Sequence, residues 1–106
     1  MSRYMIIARY DSAGAKGVLA KGGSARAAVI EKLAADMGGR MVTFDFAFGD
    51  DDVYTLCELP DNKAAASLAM AVNSTGLAHV RTVVLMSPAD IDAATQQDVN
   101  YTAPGN

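Results

Sequence analysis

Apolar and polar residues alternate in four short stretches of the chain, and each stretch predicts a β-strand. The stretches are residues 3–10, 40–48, 53–59 and 79–86. They are rich in β-branched and aromatic residues, which are favoured on the pleated surface of a strand. Between them, apolar residues recur at three- and four-residue intervals, a spacing that predicts helices.

Two longer helices are predicted between the strands, and a shorter third helix follows the fourth strand. The residues that bound them are Ser24 and Gly38-Gly39 for the first, Asp61 or Asn62 and Gly76 for the second, and Ser87-Pro88 and Gln97 for the third. Ser, Asp and Asn cap helix N-termini, whereas glycine commonly ends a helix. The glycine-rich segment 14–23 should hold only one or two helical turns, because each glycine disfavours a helix by about 1 kcal/mol.

The predicted order is βαββαβ plus a C-terminal helix, which is typical of the ferredoxin-like fold. Right-handed crossovers would place both longer helices on one face of an antiparallel four-stranded sheet, giving an α+β protein. The 106 residues fit one domain. We assign residues 1–97 to this domain and residues 98–106 to a polar C-terminal tail.

The sheet face without helices is also predicted to be apolar. In the first strand Met5 and Ile7 alternate with Ile6 and Ala8, and the fourth strand is similarly apolar at both parities. A strand with one face in water should instead alternate cleanly between apolar and polar residues. We therefore expect a second copy of the chain to cover this face, giving a homodimer or a higher even oligomer with a dimeric α+β barrel.

The segment GDDD, residues 49–52, raises the alternatives of a metal-binding carboxylate cluster and a turn between two strands. Divalent cations need several oxygen ligands that converge, whereas consecutive residues in an extended backbone point in alternating directions. Glycine and aspartate are also favoured in hairpin turns, where glycine supplies a positive φ. We interpret the segment as a turn and predict no bound metal.

Asp45 is the main candidate for a ligand-binding residue. Alternation places it opposite Phe44 and Phe46, and therefore on the proposed barrel interior. A buried carboxylate is costly unless it is paired, so Asp45 fits a structural ion pair, a rim position open to water, or a ligand-binding group. Four other candidates could share the site, namely Arg9, Tyr54, His79 and Arg81.

Gly22-Gly23-Ser24 precedes a predicted helix and could bind an anion through free backbone N–H groups. Lys16, Lys21 and Arg26 are nearby in the sequence. The same glycines could equally serve only to reverse the chain and cap the helix. Both interpretations remain open, and the segment matches no nucleotide-binding motif.

The only cysteine, Cys57, and the only histidine, His79, could form a catalytic pair only within hydrogen-bond reach. In the predicted topology the first strand lies between the strands that carry them, so we interpret Cys57 as a core thiol. A single histidine without a second haem-binding feature does not indicate haem. We predict no cofactor.

The net charge of −3 argues against nucleic acid or an anionic membrane as a partner, because both attract basic surfaces. The chain has no run of about 18 apolar residues, and its first residues lack the apolar core of a signal peptide. We therefore expect a cytoplasmic protein.

Six segments of the chain together resemble the GYD domain family. They are YDSAGAKGVLAKGGSAR (10–26), GG (38–39), FAFGDDD (46–52), LPDNKAA (59–65), AVNSTG (71–76) and LMSPADIDAA (85–94). The resemblance implies the ferredoxin-like α+β barrel that this family shares. Gly49 and Asp52 fit the Gly-x-Tyr-Asp element that names the family, but Asp51 stands where the tyrosine would be.

The family resemblance implies a fold and an assembly but no reaction. The resulting expectation is an oligomeric α+β-barrel protein that binds a small molecule at or near the barrel. One alternative is a small cofactor-independent enzyme of the isomerase or monooxygenase type, with Asp45 as the base. The other is a purely structural self-associating module, so whether the protein is an enzyme remains open.

Overall fold

The computed structural model describes all 106 residues and contains four strands and four helices. In chain order the elements are β1 (Ser2–Tyr10), α1 (Ser12–Lys21), α2 (Gly23–Asp36), β2 (Arg40–Phe46), β3 (Val53–Leu59), α3 (Asn62–Ser74), β4 (Ala78–Leu85) and α4 (Pro88–Thr95). The strands form one antiparallel sheet in the order β2-β3-β1-β4. This confirms the predicted α+β, ferredoxin-like fold.

The hydrophobic core lies between the sheet and the helices α2 and α3. Its buried residues are Tyr4, Ile6, Ala34, Cys57, Leu59, Ala65 and Leu68. Even-numbered residues of β1 and odd-numbered residues of β3 face the helices, because successive side chains of a strand point to opposite faces. The hydroxyl of Tyr4 donates a hydrogen bond to Asn62 Oδ1 at 2.7 Å, so this buried polar group is satisfied.

A β-bulge in β2 moves the two residues before it, Arg40 and Met41, to the faces opposite those that alternation predicts. Met41 pairs with Cys57 and Thr43 pairs with Leu56, which leaves Val42 as the extra residue. Met41 consequently packs against the core under the helices. Alternation along this strand predicts Met41 on the same face as Asp45; that prediction is wrong, because it assumes an uninterrupted ladder.

Helix α1 spans ten residues and is longer than the one or two turns predicted for this glycine-rich segment. Asp11 caps its N-terminus by accepting a hydrogen bond from Gly14 N at 2.8 Å. The backbone N–H of Asp11 also donates to Leu77 O at 3.1 Å. A Cβ atom on Gly14 would lie only 2.1 Å from Leu77 O, so glycine permits this close approach. Tertiary contact thus supports a helix that propensity alone disfavours.

Helix α2 begins at Gly23, one residue before the predicted N-cap Ser24. Its N-cap is Gly22, which has a φ of 87° and provides no side-chain hydrogen bond. The predicted C-terminal signal is confirmed, since Gly38 follows the helix with a φ of 85°. Helix α3 is capped by Asp61, whose carboxylate accepts a hydrogen bond from Ala64 N at 2.9 Å.

The C-terminal segment, α4 and the tail, is exposed at every residue from 86 to 106. Ser87 and Asp90 form a reciprocal capping box at the start of α4, with Pro88 in the first helical turn. This short helix ends at Thr95, two residues before the predicted Gln97. None of the four helices is both long and apolar enough to cross a membrane.

Candidate functional site

The sheet face opposite the helices, which we call the open face, carries both apolar and charged side chains. The pairing register places on it Arg3, Met5, Ile7, Arg9, Arg40, Thr43, Asp45, Tyr54, Leu56, Glu58, His79, Arg81, Val83 and Leu85. One row across the sheet is formed by Thr43, Leu56, Met5 and Val83, and the next by Asp45, Tyr54, Ile7 and Arg81. An apolar row therefore lies beside a polar one.

Asp51, in the loop between β2 and β3, binds two side chains of the polar row. Asp51 Oδ2 accepts hydrogen bonds from Arg81 Nη2 at 3.0 Å and from the Tyr54 hydroxyl at 3.4 Å. Tyr54 and Arg81 are the register partners of Ile7 on its two sides. We call Asp51, Tyr54 and Arg81 the Asp51 cluster; beneath it, Ile7 is only 6% exposed.

Asp45 lies on the open face, as alternation predicts, and pairs in register with Tyr54. Its side chain is exposed, and no hydrogen bond or ion pair within the chain engages it. Of the alternatives given by the sequence, this placement fits a position at the rim that is open to water. A free carboxylate next to the Asp51 cluster remains available to a ligand.

Arg9 and His79 pair with each other one row beyond Ile7 and Arg81. Both side chains are exposed. The structure therefore brings the five candidate residues from the sequence, Asp45, Arg9, Arg81, His79 and Tyr54, to the same end of the open face. Two cationic residues and a histidine there face two carboxylates, which is a set of groups suited to a polar or charged small molecule.

The sequence did not identify Asp51 as a member of this site. The GDDD segment was assigned to a tight turn, but residues 47–52 form a longer loop that carries Asp51 over the sheet. Strand β2 ends at Phe46, so Phe48 lies in this loop, fully exposed, and not in the predicted strand. Gly49 does not adopt the positive φ that a tight turn would have required.

The three aspartates of the GDDD segment make different contacts. Asp50 is exposed, Asp51 binds Arg81, and Asp52 Oδ2 accepts a hydrogen bond from Tyr10 N at 2.8 Å. The backbone N–H of Asp52 donates to Ala8 O at 2.8 Å. Asp52 therefore ties the loop to the end of β1 through its side chain and its backbone. No three His, Cys, Asp or Glu side chains of the chain converge as metal ligands would.

Cys57 lies in the core on the helix side of the sheet and is fully buried. Burial raises the pKa of its thiol, and a contact of 3.7 Å with the hydroxyl of Thr55 offsets part of that rise. His79 belongs to β4, on the opposite face, and β1 lies between the two strands. The predictions that Cys57 is a core thiol and that it forms no pair with His79 are confirmed.

In a comparison with protein families, the family model of the GYD domain matches residues 4–95 of the 106-residue chain. The matched region extends from β1 through the end of α4 and so includes both faces of the sheet. Comparison with curated proteins and with solved structures gives no match.

Proposed function

The chain belongs to the GYD domain family, and we propose that it forms a homodimer through its open face and binds a small molecule beside the Asp51 cluster. The observation that carries the proposal is the apolar row on the open face. In a single chain the side chains of this row are partly exposed to water. The row lies next to the Asp51 cluster, beside which Asp45, Arg9 and His79 have no partner within the chain.

The apolar row supports association with a second copy of the chain. Val83 is 42% exposed, and Met5 and Leu56 beside it are partly exposed. Burial of apolar area contributes about 25 cal/mol per Å². Packing two identical faces about a two-fold axis buries the row on both protomers at once, and two sheets packed in this way close an α+β barrel.

The polar rows that flank the apolar row fit the rim of such an interface. At one end Arg40 and Glu58 form an ion pair, and at the other end lies the Asp51 cluster. Stable interfaces typically have an apolar centre and a polar, solvated edge. The open face has this arrangement in a single protomer.

Free polar groups beside the Asp51 cluster support a small-molecule site at one end of the barrel. No hydrogen bond or ion pair within the chain engages the side chains of Asp45, Arg9 or His79. In the proposed dimer these groups would lie at the rim, beside the apolar rows of both protomers. A few convergent polar groups in an otherwise apolar wall are typical of sites that orient a small ligand.

The self-association proposal is tested by charging one of two adjacent valines. Val83→Asp places a carboxylate on the open face, whereas Val84→Asp places it on the other face, and the two valines are 42% and 53% exposed. We expect wild type and Val84→Asp to sediment as dimers, and Val83→Asp as a monomer, at micromolar concentration. A monomeric wild type, or a dimeric Val83→Asp variant, would contradict the proposal.

The ligand proposal is tested by a thermal-shift screen of small polar metabolites with two arginine variants. Arg81→Gln removes the guanidinium that binds Asp51, and Arg3→Gln removes one from the opposite end of the same face. We expect a stabilising compound to lose its effect with Arg81→Gln and to keep it with Arg3→Gln. If the dimer forms and no compound stabilises it, the structural-module alternative is supported instead.

A further inference from the structure

A second concave site lies on the helix side of the sheet, between α1, α2 and the end of α3. Its cavity volume is about 580 Å³, within the range of roughly 300–1,000 Å³ that small-molecule sites occupy. Twelve of its eighteen lining residues are hydrophobic, including Val18, Ile30, Leu33 and Val72. This cavity is separate from the open face, so it does not depend on the dimer proposed above.

The charged side chains that line this cavity all have one sign. Lys21 and Arg26 line it, and no aspartate or glutamate does. The chain as a whole carries a net charge of −3, so an acid-free lining with two cations differs from the average of the molecule. Such a lining favours an anionic group over a cationic one.

Arg26 lacks the partners that a partly buried guanidinium normally has. Its Cζ lies 5.9 Å from the centre of the Tyr10 ring, which is a cation–π distance. Its Nε is buried without a hydrogen-bond acceptor, and none of the three ion pairs of the chain includes Arg26. Buried donors without an acceptor are rare in native proteins, so the guanidinium of Arg26 is not fully satisfied within the chain.

We propose that this cavity binds an amphiphilic monocarboxylate, with its carboxylate on Arg26 and its apolar body against the helix side chains. Guanidinium and carboxylate form strong, charge-assisted hydrogen bonds, and the Tyr10 ring lies within cation–π distance of the same guanidinium. Lys21 adds a second positive charge at the same cavity. The N-cap of α2, Gly22, also lines the cavity and has no side-chain partner, which favours an anion at that helix end.

The proposal is tested by isothermal titration calorimetry of the full chain with decanoate, using 1-decanol as the uncharged analogue. Wild type should bind decanoate and bind 1-decanol at least about tenfold more weakly, since only the carboxylate can pair with Arg26. Arg26→Gln should weaken decanoate binding by at least about tenfold. Lys16→Gln is the matched control, because Lys16 is an exposed cation of α1 that does not line the cavity, and it should bind like wild type.

A second variant tests the cavity without changing a charged residue. An added Cβ at Gly17 meets no atom within 4 Å, so Gly17→Leu can extend into the cavity while the helix keeps its backbone. We expect this variant to remain folded in thermal melting and to lose decanoate binding. The proposal is overturned if decanoate does not bind wild type, if 1-decanol binds equally well, or if Arg26→Gln or folded Gly17→Leu retains wild-type affinity.

Discussion

The two faces of the sheet carry similar apolar patterns, but only one of them contributes to the hydrophobic core of the chain. On the helix side Tyr4, Cys57 and Leu59 are fully buried, and the hydroxyl of Tyr4 has its acceptor. On the open face the central apolar row stays partly in water between two polar rows. The difference means that the hydrophobic core of the single chain lies on the helix side of the sheet.

Two leucines of β3 give the sharpest test of this comparison. Leu59 is fully buried against the helices, so Leu59→Ala should lower the free energy of unfolding by about 2–5 kcal/mol. Leu56 lies on the open face and is partly exposed, so Leu56→Ala should cost less. Urea denaturation measures both losses, and equal losses would contradict the assignment of the core to one face.

The same two variants distinguish a core contact from an interface contact. If the open face is a dimer interface, the loss in Leu56→Ala should change with protein concentration, because dissociation is linked to unfolding. The loss in Leu59→Ala should change much less. Repeating the urea series over a hundredfold range of concentration supplies this control.

Substitutions at two glycines of α1 test whether this helix packs closely against the turn before β4. Gly14→Ala places a Cβ 2.1 Å from Leu77 O and should destabilise the protein by about 1–3 kcal/mol. Gly17→Ala meets no neighbouring atom and should stabilise it by about 0.5–1 kcal/mol through helix propensity. Thermal melting of both variants measures the difference. A similar change in both would mean that α1 does not approach the turn before β4.

Cys57 provides a pH test of the closed face. Burial raises the pKa of its thiol above the ordinary value of 9.0, so the folded protein holds the proton more tightly than the unfolded chain does. The stability from this group is therefore complete below pH 9.0 and is lost as the pH rises through the folded-state pKa. Cys57→Ala should show a smaller loss of stability above that pH in urea denaturation. An alkaline loss of the same size in the variant would assign it to other groups.

Asp45→Asn should have the smallest effect on the fold. Asp45 is exposed and has no partner within the chain, so the free energy of unfolding should change by less than about 0.5 kcal/mol. If Asp45 contacts the ligand proposed for the open face, the same variant should abolish the thermal shift that the ligand gives wild type. Loss of stability without any effect on that shift would assign Asp45 a structural role.

The sequence was informative where a residue's position depends on its immediate neighbours. Alternation placed Phe44 and Asp45 on opposite faces, and Asp61 and Ser87 cap the helices that they precede. Alternation alone predicts the wrong sheet face for Met41, because a bulge depends on the pairing of two strands. The full length of α1 was not predicted, because the contact with Leu77 O joins segments that are distant in the sequence.

The two candidate sites were predictable to different degrees. Five residues of the open-face site were named from the sequence, but Asp51 was not, because a loop's path over a sheet has no periodic signal. On the helix side, the sequence raised an anion site at Gly22-Gly23-Ser24 with Lys16, Lys21 and Arg26 nearby. Only the packing of three helices shows that Lys21 and Arg26 share a cavity and that Lys16 lies outside it.

The central position of β1 in the sheet has a consequence for folding during synthesis. Ser2 pairs with Leu59, and Arg3 pairs with Leu85, so β1 is completed only by segments that are synthesised much later. Contacts between residues so far apart in sequence slow folding, because the intervening chain must close a long loop first. Until β4 emerges, the nascent chain exposes an apolar strand with an unpaired edge, which makes this interval its most aggregation-prone stage.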